Sequence, residues 1–127
     1  MAAAPEQIAR DLFTAYGAGD LNRVRSLLAD DLVSRITNAD GGTDRVEGAD
    51  GFMARLPDTS EADLATEVTQ IVGVDDELAM TMVEVRAERR GRTLHNFAGF
   101  LTRVAGGRIT ELWMVDAKPA PSDDFWS

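Results

Sequence analysis

The sequence predicts an α+β fold in which a strongly bent β-sheet curls around N-terminal helices and leaves an apolar hollow between them. Apolar residues near the N-terminus recur at helical spacing, whereas later segments alternate between apolar and polar residues. Turn-forming glycine, asparagine and aspartate residues separate the alternating runs. Helices gathered early and antiparallel strands gathered late are typical of α+β domains.

Length and composition indicate one acidic domain. The chain has 127 residues and a net charge of −9, so we assign residues 1–127 to a single domain and expect neither nucleic acid nor an anionic membrane as a partner. Cysteine is absent, which excludes disulfides and thiolate metal sites. No apolar run approaches the ~20 residues that span a bilayer. The start MAAAPEQ lacks the features of a signal peptide, so we expect a cytoplasmic location.

Two helices are predicted at the N-terminus. The first runs from Pro5 to Tyr16, because proline is well placed in a first turn and Ile8 and Leu12 continue one apolar stripe. Asp20 is expected to cap the second helix. The apolar face of that helix is predicted to carry Leu21, Val24, Leu27 and Leu28.

Strands are predicted wherever apolar and polar residues alternate, at Leu32–Thr37, Leu64–Val72 and Leu78–Glu88. A hairpin of two longer strands follows within Thr93–Asp116, with the tight turn at AGGR. Successive side chains of a strand point to opposite faces. Asp116 therefore shares one face of the last strand with Thr110, Leu112 and Met114, and we place it at the rim of the hollow.

The remaining segments are predicted as a loop, a short helix and an irregular tail. Asn38–Asp44 is rich in turn-forming residues and is expected as a loop over the mouth of the hollow. Ala49–Leu56 is predicted as a short helix, which the following proline stops. The tail KPAPSDDFWS contains two prolines, so we expect no regular element there, with Phe125 and Trp126 folding back onto the body.

Several phrases resemble the SnoaL-like group of the nuclear transport factor 2-like superfamily. They are YGAGDLNRVRSLLADDL after the first helix, FLTRVAGGRITELWMVD across the last hairpin, and the DDFW ending. The resemblance covers nearly the whole chain. It implies a cone-shaped α+β fold with a mixed, strongly curved sheet around an internal apolar cavity. It does not specify the chemistry, because members include isomerases, cyclases, hydrolases, dehydratases and non-catalytic domains.

Ketosteroid isomerases of this superfamily use a tyrosine on the first helix, a carboxylate base on the first strand and a protonated acid on the penultimate strand. The matching positions hold Leu12, Ile36 and either Gly99 or Phe100. The isomerase residues are therefore missing, and we exclude that mechanism. Tyr16 lies one helical turn beyond Leu12, where it either presents a hydroxyl to the cavity or packs as a core aromatic.

Two other activities of the superfamily also lack their residues. Dehydratases rely on paired histidines, whereas this chain has only His95, for which hydrogen bonding at the surface or in a turn is the expected role. Epoxide hydrolases of this fold use an Asp–Arg–Asp arrangement around a water. Glu84 and Arg86 share a strand face, and a cross-strand surface salt bridge explains them more simply. We expect neither metal nor cofactor.

Asp116 is the strongest catalytic candidate. Polyketide cyclases of the SnoaL type carry a pocket aspartate near the end of this strand, which acts as a general acid and base, and Asp116 matches that place. A carboxyl group at the edge of an apolar pocket suits proton transfer near neutral pH. The alternative is that Asp116 caps the strand end by bonding backbone N–H groups ahead of Lys118.

Two functions stay open. The first is a cofactor-independent enzyme, which could be cyclase-like, isomerase-like or hydrolase-like. The leading form transfers a proton on an apolar small molecule, with Asp116 as acid/base and Tyr16 or Asn96 as a hydrogen-bond donor. The second is a non-catalytic domain that binds a small ligand or dimerises. In both, the expected cavity residues besides Asp116 and Tyr16 are Leu12, Phe13, Ile36, Phe52, Asn96, Phe100, Leu112 and Met114.

Aromatic residues on the opposite face of the hairpin predict a homodimer. Trp113 and Phe97 are expected on the outer sheet face, where they would expose an apolar patch in a monomer. Ordinary core packing is the alternative for these residues.

Overall fold

A computed structural model describes residues 4–57, 59 and 62–127. The first three residues of the MAAAPEQ segment lie outside the described part. The elements in chain order are α1 (Pro5–Gly17), α2 (Leu21–Ser26), β1 (Leu28–Thr37), β2 (Thr43–Glu47), α3 (Ala49–Arg55), β3 (Ala62–Gly73), β4 (Leu78–Arg89), β5 (Arg92–Ala105), β6 (Arg108–Asp116) and α4 (Pro119–Trp126).

The six strands form one curved, mixed sheet in the order β2-β1-β6-β5-β4-β3. Strands β1 and β6 are parallel, and every other neighbouring pair is antiparallel. The register shifts between Val68 and Gln70 on β3 and between Arg103 and Val104 on β5. Such irregularities bend a strand and increase its twist. The α+β class and the mixed, curved sheet are therefore confirmed.

The first two helices begin where the sequence predicts. Ile8 and Leu12 of α1 are buried against the sheet. The side chain of Asp20 accepts a hydrogen bond of 3.0 Å from the backbone N–H of Arg23, as an N-cap does. The predicted apolar face of α2 is wrong at its ends, because Leu21 is half exposed and Leu28 is already the first residue of β1. The helix stops at Ser26, since the chain turns there into the sheet.

The predicted loop at Asn38–Asp44 is wrong at its last two residues, because strand β2 begins at Thr43. The strand reads Thr-Asp-Arg-Val-Glu and has only one apolar residue, so its pattern is too polar to signal a strand. It lies at the sheet edge and pairs with β1, with Val33 opposite Glu47 and Thr37 opposite Thr43. The Asn38 side chain closes the connecting turn by accepting hydrogen bonds from the N–H groups of Asp40 and Gly42.

The prediction that the tail has no regular element is also wrong. Pro119–Trp126 forms helix α4. Pro119 and Pro121 both fall in the first turn, where backbone N–H groups have no intrahelical partner, so neither ring removes a helix hydrogen bond. The first such bond runs from the N–H of Ser122 to the carbonyl of Lys118, at 3.0 Å. Phe125 is buried and Trp126 is half-buried, which agrees with the expected return of both residues onto the body.

The buried apolar residues form two clusters. The larger lies between α1, α2, α3 and the inner face of the sheet, and includes Leu28, Leu32, Ile109 and Leu112, all fully buried. The smaller consists of Ala87, Leu94 and Phe125, with Leu64 and Trp126 packed against it. The hollow that holds the candidate site lies between the inner sheet face and the helices.

Candidate functional site

An apolar cavity of about 190 Å³ opens on the inner face of the sheet. Its walls come from all four helices and five of the six strands, so no single element forms it. All ten residues that the sequence nominates lie along it, and their roles stay predictions. They are Leu12, Phe13, Tyr16, Ile36, Phe52, Asn96, Phe100, Leu112, Met114 and Asp116.

The register of β5 and β6 brings the polar members of this set together. Asp116 lies opposite Ala98, and Met114 lies opposite Phe100. Asn96 is two residues before Ala98 and shares its strand face, so Asn96 and Asp116 are diagonal neighbours on the inner face. The alternation predicted for the last strand is what points both side chains into the hollow.

Asn96 and Asp116 are joined by a short hydrogen bond. Asn96 Nδ2 donates to Asp116 Oδ1 at 2.6 Å, and Asn96 is only 4% exposed. The N–H of Phe97 donates to Asn96 Oδ1 at 2.8 Å. This second bond sets the orientation of the amide, because a backbone N–H needs the oxygen. A second N–H on Nδ2 is left for another acceptor.

Only one oxygen of the Asp116 carboxylate is engaged. Oδ1 accepts from Asn96 and also from the backbone N–H of Lys118, at 2.7 Å. Within residues 4–57, 59 and 62–127, no hydrogen-bond donor reaches Oδ2. The N–H of Asp116 donates to Thr37 Oγ1 at 3.2 Å, which fixes the end of β6 to β1. Asp116 therefore makes the backbone bond of a strand-end cap and also lies on the cavity wall with one oxygen open.

Tyr16 brings a hydroxyl to the wall opposite the sheet. It is half-buried on α1, and burial raises the pKa of its phenol, so the hydroxyl stays protonated and able to donate at neutral pH. Among the described side chains it has no hydrogen-bond partner. It also packs against the larger core cluster, as the alternative role requires. Nearby, Phe13 and Phe100 meet edge to face with ring centres 4.9 Å apart.

His95, Glu84 and Arg86 lie away from the cavity lining. Glu84 Oε2 lies 2.5 Å from His95 Nε2 and 2.9 Å from Arg86 Nη2. The hydrogen bond from His95 is the largest cause that lowers the pKa of Glu84. Burial opposes it, and the charge of Arg86 lowers the pKa by a smaller amount. The predicted cross-strand salt bridge is wrong for Glu84 and Arg86, which pair within β4. His95 supplies the cross-strand contact instead.

Sequence reasoning missed four polar or aromatic members of the wall, the first of which is Thr66 of β3. Arg55 of α3 lines the cavity and donates to Asp44 Oδ2 at 3.0 Å. Ser122 and Trp126 line it from α4. Ser122 and Trp126 were missed because the tail was predicted to be irregular, although their spacing of four residues is that of one helix face.

Across the described residues, no group of three or more His, Asp or Glu side chains could hold a metal ion. No helix there has the length and apolar character needed to cross a membrane.

Comparison with known proteins identifies the family. A family model described as "SnoaL-like domain" matches residues 9–112. The uncharacterized protein Rv0034 of Mycobacterium tuberculosis is 31% identical over 126 residues, which cover 94% of each chain.

Solved structures show the same fold. An LEH-like epoxide hydrolase from M. tuberculosis is 18% identical with a TM-score of 0.75, covering 96% of this chain and 90% of that one. A candidate polyketide cyclase from Pseudomonas putida is 20% identical with a TM-score of 0.72, covering 89% and 91%. At these identities the likeness concerns the fold. Together with the family match, it shows that the chain belongs to the SnoaL-like domain family of nuclear transport factor 2-like proteins.

Proposed function

We propose that the protein binds a compact apolar small molecule in this cavity and transfers a proton on it without a cofactor, as a cyclase or isomerase does. One observation carries the proposal. On a wall that is otherwise almost entirely apolar, Asp116 is held by Asn96 through Oδ1, and its second oxygen has no donor among the described residues. A carboxylate fixed by one oxygen has the other available as a base.

The proposed step needs a base and a hydrogen-bond donor. Asp116 Oδ2 takes a proton from a carbon beside a carbonyl group, and the electron pair of the broken C–H bond moves onto the carbonyl oxygen. The Tyr16 hydroxyl or the second N–H of Asn96 Nδ2 donates to that oxygen as its negative charge develops. The protonated Asp116 then returns the proton to carbon or oxygen. Alternatively, the enolate attacks a second carbonyl of the same molecule to close a ring, and the alkoxide that forms takes the proton back from Asp116.

Related proteins support small-molecule chemistry, and the wall favours proton transfer over epoxide hydrolysis. The neighbours of similar fold include an epoxide hydrolase and a candidate polyketide cyclase. Arg55 is the only arginine among the described lining residues, and it pairs with Asp44, which does not line the cavity. Asp116 instead contacts Asn96 and a backbone N–H. An Asp–Arg–Asp arrangement is therefore not assembled by the described part of this wall.

The second candidate is a binding domain without catalysis. Its support is the bond from the Lys118 N–H to Asp116 Oδ1 at 2.7 Å, because this contact alone gives the carboxylate a structural role at the strand end. The apolar cavity serves ligand binding equally well under this account.

We also propose a homodimer through the outer sheet face. Val115 lies opposite Gly99, and Gly99 lies opposite Met82, while the next row places Trp113, Leu101 and Met80 side by side. Val115 is 64% exposed and Phe97 is 42% exposed.

Charged side chains of both signs border these apolar rows. Glu84, Arg86 and His95 lie on one side, and Arg35, Arg103 and Glu111 lie on the other. A second copy of the chain presents the same apolar rows and mixed charges.

Deuterium exchange into a simple ketone tests the proposed proton transfer without knowledge of the natural substrate. The probe is the bicyclic ketone 2-tetralone in D2O, followed by proton NMR. We expect the wild-type protein to accelerate exchange beside the carbonyl, and Asp116→Asn to lower the rate by about 10²–10⁴-fold, the usual contribution of a general base. Asp31→Asn, which removes an exposed carboxylate away from the cavity lining, is the matched control and should exchange like wild type. Exchange at the buffer rate with bound ketone would support the binding domain instead.

A further inference from the structure

Helix α4 closes one side of the cavity with two side chains on the same face. Ser122 and Trp126 are four residues apart and both line the cavity. Phe125, between them in sequence, points into the smaller core cluster and is only 3% exposed. The rings of Phe125 and Trp126 meet edge to face at 4.8 Å. The buried Phe125 ring therefore holds the Trp126 indole in position.

Two arginines from the β4–β5 turn hold the C-terminal end of α4. Arg89 Nη1 donates to the carbonyl of Phe125 at 2.9 Å. Arg92 donates to the carbonyls of Asp124 and Phe125, each at 3.1 Å, and its guanidinium lies 5.9 Å from the centre of the Phe125 ring. The last carbonyls of a helix have no intrahelical partner among the backbone N–H groups, so these contacts supply donors that the helix itself lacks.

The N-terminal end of α4 is held at the site itself. Lys118 is the residue that precedes the helix, and its N–H donates to Asp116 Oδ1. Lys118 Nζ donates to the carbonyl of His95 at 3.1 Å, and the N–H of Ala117 donates to the carbonyl of Phe97 at 3.0 Å. With its two ends fixed to β4, β5 and β6, α4 is a fixed wall of the cavity.

Because the cavity is small, the side chains of α4 strongly influence the size of the ligand that it can hold. At about 190 Å³ the cavity is smaller than the roughly 300–1,000 Å³ of pockets that hold drug-sized ligands. The space suits a ligand of about two fused rings, and a four-ring one would have to extend out through the opening of the cavity. The other aromatic wall residues pack against the larger core cluster or belong to it, and they are Phe13, Tyr16, Phe52 and Phe100. Trp126 is the large lining side chain that belongs to the C-terminal helix and the smaller cluster.

We propose that Trp126 is the specificity-determining residue of the cavity and limits its ligands to compact molecules of about two fused rings. The inference rests on the proposed function, since it assumes that the cavity binds an apolar molecule. The chemical class is a fused bicyclic compound with one hydroxyl or enolisable carbonyl group, which Asp116 Oδ2 and the Tyr16 hydroxyl can recognise.

A series of phenols with the same hydroxyl and a growing apolar body tests the size limit. Isothermal titration of phenol, 2-naphthol, 9-phenanthrol and estradiol measures affinity for wild type, Trp126→Ala and Trp126→Leu. In wild type we expect the highest affinity for 2-naphthol. A change of one methylene in a pocket alters binding by about 10–200-fold, so we expect 9-phenanthrol to gain at least about tenfold in Trp126→Ala. Trp126→Leu keeps an apolar side chain for packing and should show a smaller gain of the same sign.

Trp113→Ala is the matched control, because Trp113 lies on the outer sheet face, where the guanidinium of Arg35 is 5.3 Å from its ring centre. It should leave the order of affinities unchanged. An unchanged preference for 2-naphthol in both folded Trp126 variants overturns the assignment of Trp126 while leaving the proposed binding intact. Absence of binding by all four phenols to every protein contradicts the proposed function itself, and the inference with it.

Discussion

Asn96 Nδ2 donates a hydrogen bond of 2.6 Å to Asp116 Oδ1, diagonally across strands β5 and β6. The amide is almost completely buried, and its own oxygen is occupied by the N–H of Phe97. The contact therefore orients the carboxylate by a side chain that cannot readily turn away. Lys118 holds the same oxygen from the other side, which keeps Oδ1 engaged and Oδ2 open.

Replacing Asn96 by leucine should both destabilise the protein and impair proton transfer. The variant leaves the N–H of Phe97 without its acceptor and removes one donor from Asp116. An unsatisfied buried polar group costs about 1–3 kcal/mol, and we expect a loss of that size in the free energy of unfolding measured with urea. The rate of ketone deuteration should fall in the folded variant. A stability and rate equal to those of wild type would show that the amide does not support Asp116.

Removing both arginines that hold α4 should loosen that helix selectively. In the double variant Arg89→Ala/Arg92→Ala, the carbonyl of Phe125 loses both of its arginine donors, and the carbonyl of Asp124 keeps only the Ser127 hydroxyl. Hydrogen bonds to charged groups contribute about 1.5–3 kcal/mol each, and partial exposure reduces this. We expect faster amide hydrogen exchange in Pro119–Trp126, with α1 unchanged as the internal control. Equal exchange of α4 in both proteins would mean that Phe125 alone anchors the helix.

The Glu84–His95 contact should make stability depend on acid pH. In the folded protein the pKa of Glu84 lies below its usual value of 4.5, and the largest cause is the hydrogen bond from His95. Its contribution is therefore fully present above pH 4.5 and is lost as the pH falls through the lower folded value. Urea unfolding at pH 7 and pH 3 should show a smaller drop for Glu84→Gln than for wild type. Glu88→Gln, on the same strand, is the control and should drop like wild type. An equal drop in the free energy of unfolding in all three proteins would show that the Glu84–His95 contact does not contribute to this pH dependence.

Charging the outer sheet face should dissociate the proposed dimer. Val115 and Val74 are exposed to similar extents, 64% and 55%, but only Val115 lies within the apolar rows of β4, β5 and β6. We expect light scattering after size exclusion to give a dimer for wild type and Val74→Glu, and a monomer for Val115→Glu. A monomeric wild type would remove the proposal. Full deuteration activity in the monomeric variant would show that dimerisation is not required at the site.

The sequence predicted the cavity side of the fold better than its edges. The alternation along β6 placed Leu112, Met114 and Asp116 on one face, and the structure shows all three along the cavity. Strand β2 was missed because its pairing with β1 depends on backbone hydrogen bonds, whereas its side chains are mostly polar. Helix α4 was missed because two prolines outweighed the spacing of Ser122 and Trp126. Periodicity indicates which face of an element is buried. It gives no signal for elements such as β2 and α4, whose structure depends on their position in the fold.

The hydrogen bonds of Asp116 are a feature of the site that the sequence alone did not predict. Sequence reasoning treated an acid/base role and a strand-end cap as alternatives, but the structure shows that Oδ1 makes the capping bond while Oδ2 is left open. Asn96 was nominated as a donor to a substrate oxygen, and its first partner is Asp116 itself. Such a diagonal pairing depends on strand register, which a single sequence does not specify.

The most direct test of the account is to follow the Asn96 side-chain amide by NMR while 2-naphthol is added. If the cavity binds a compact molecule beside Asp116, the Nδ2 resonances of Asn96 and the backbone amides of Phe100 and Met114 shift together, with one saturating affinity. Asp116→Ala should weaken that affinity, and the amide of Val74 should not move. Shifts confined to the outer-face residues Phe97 and Val115, or no shifts at all, would contradict a functional site in this cavity.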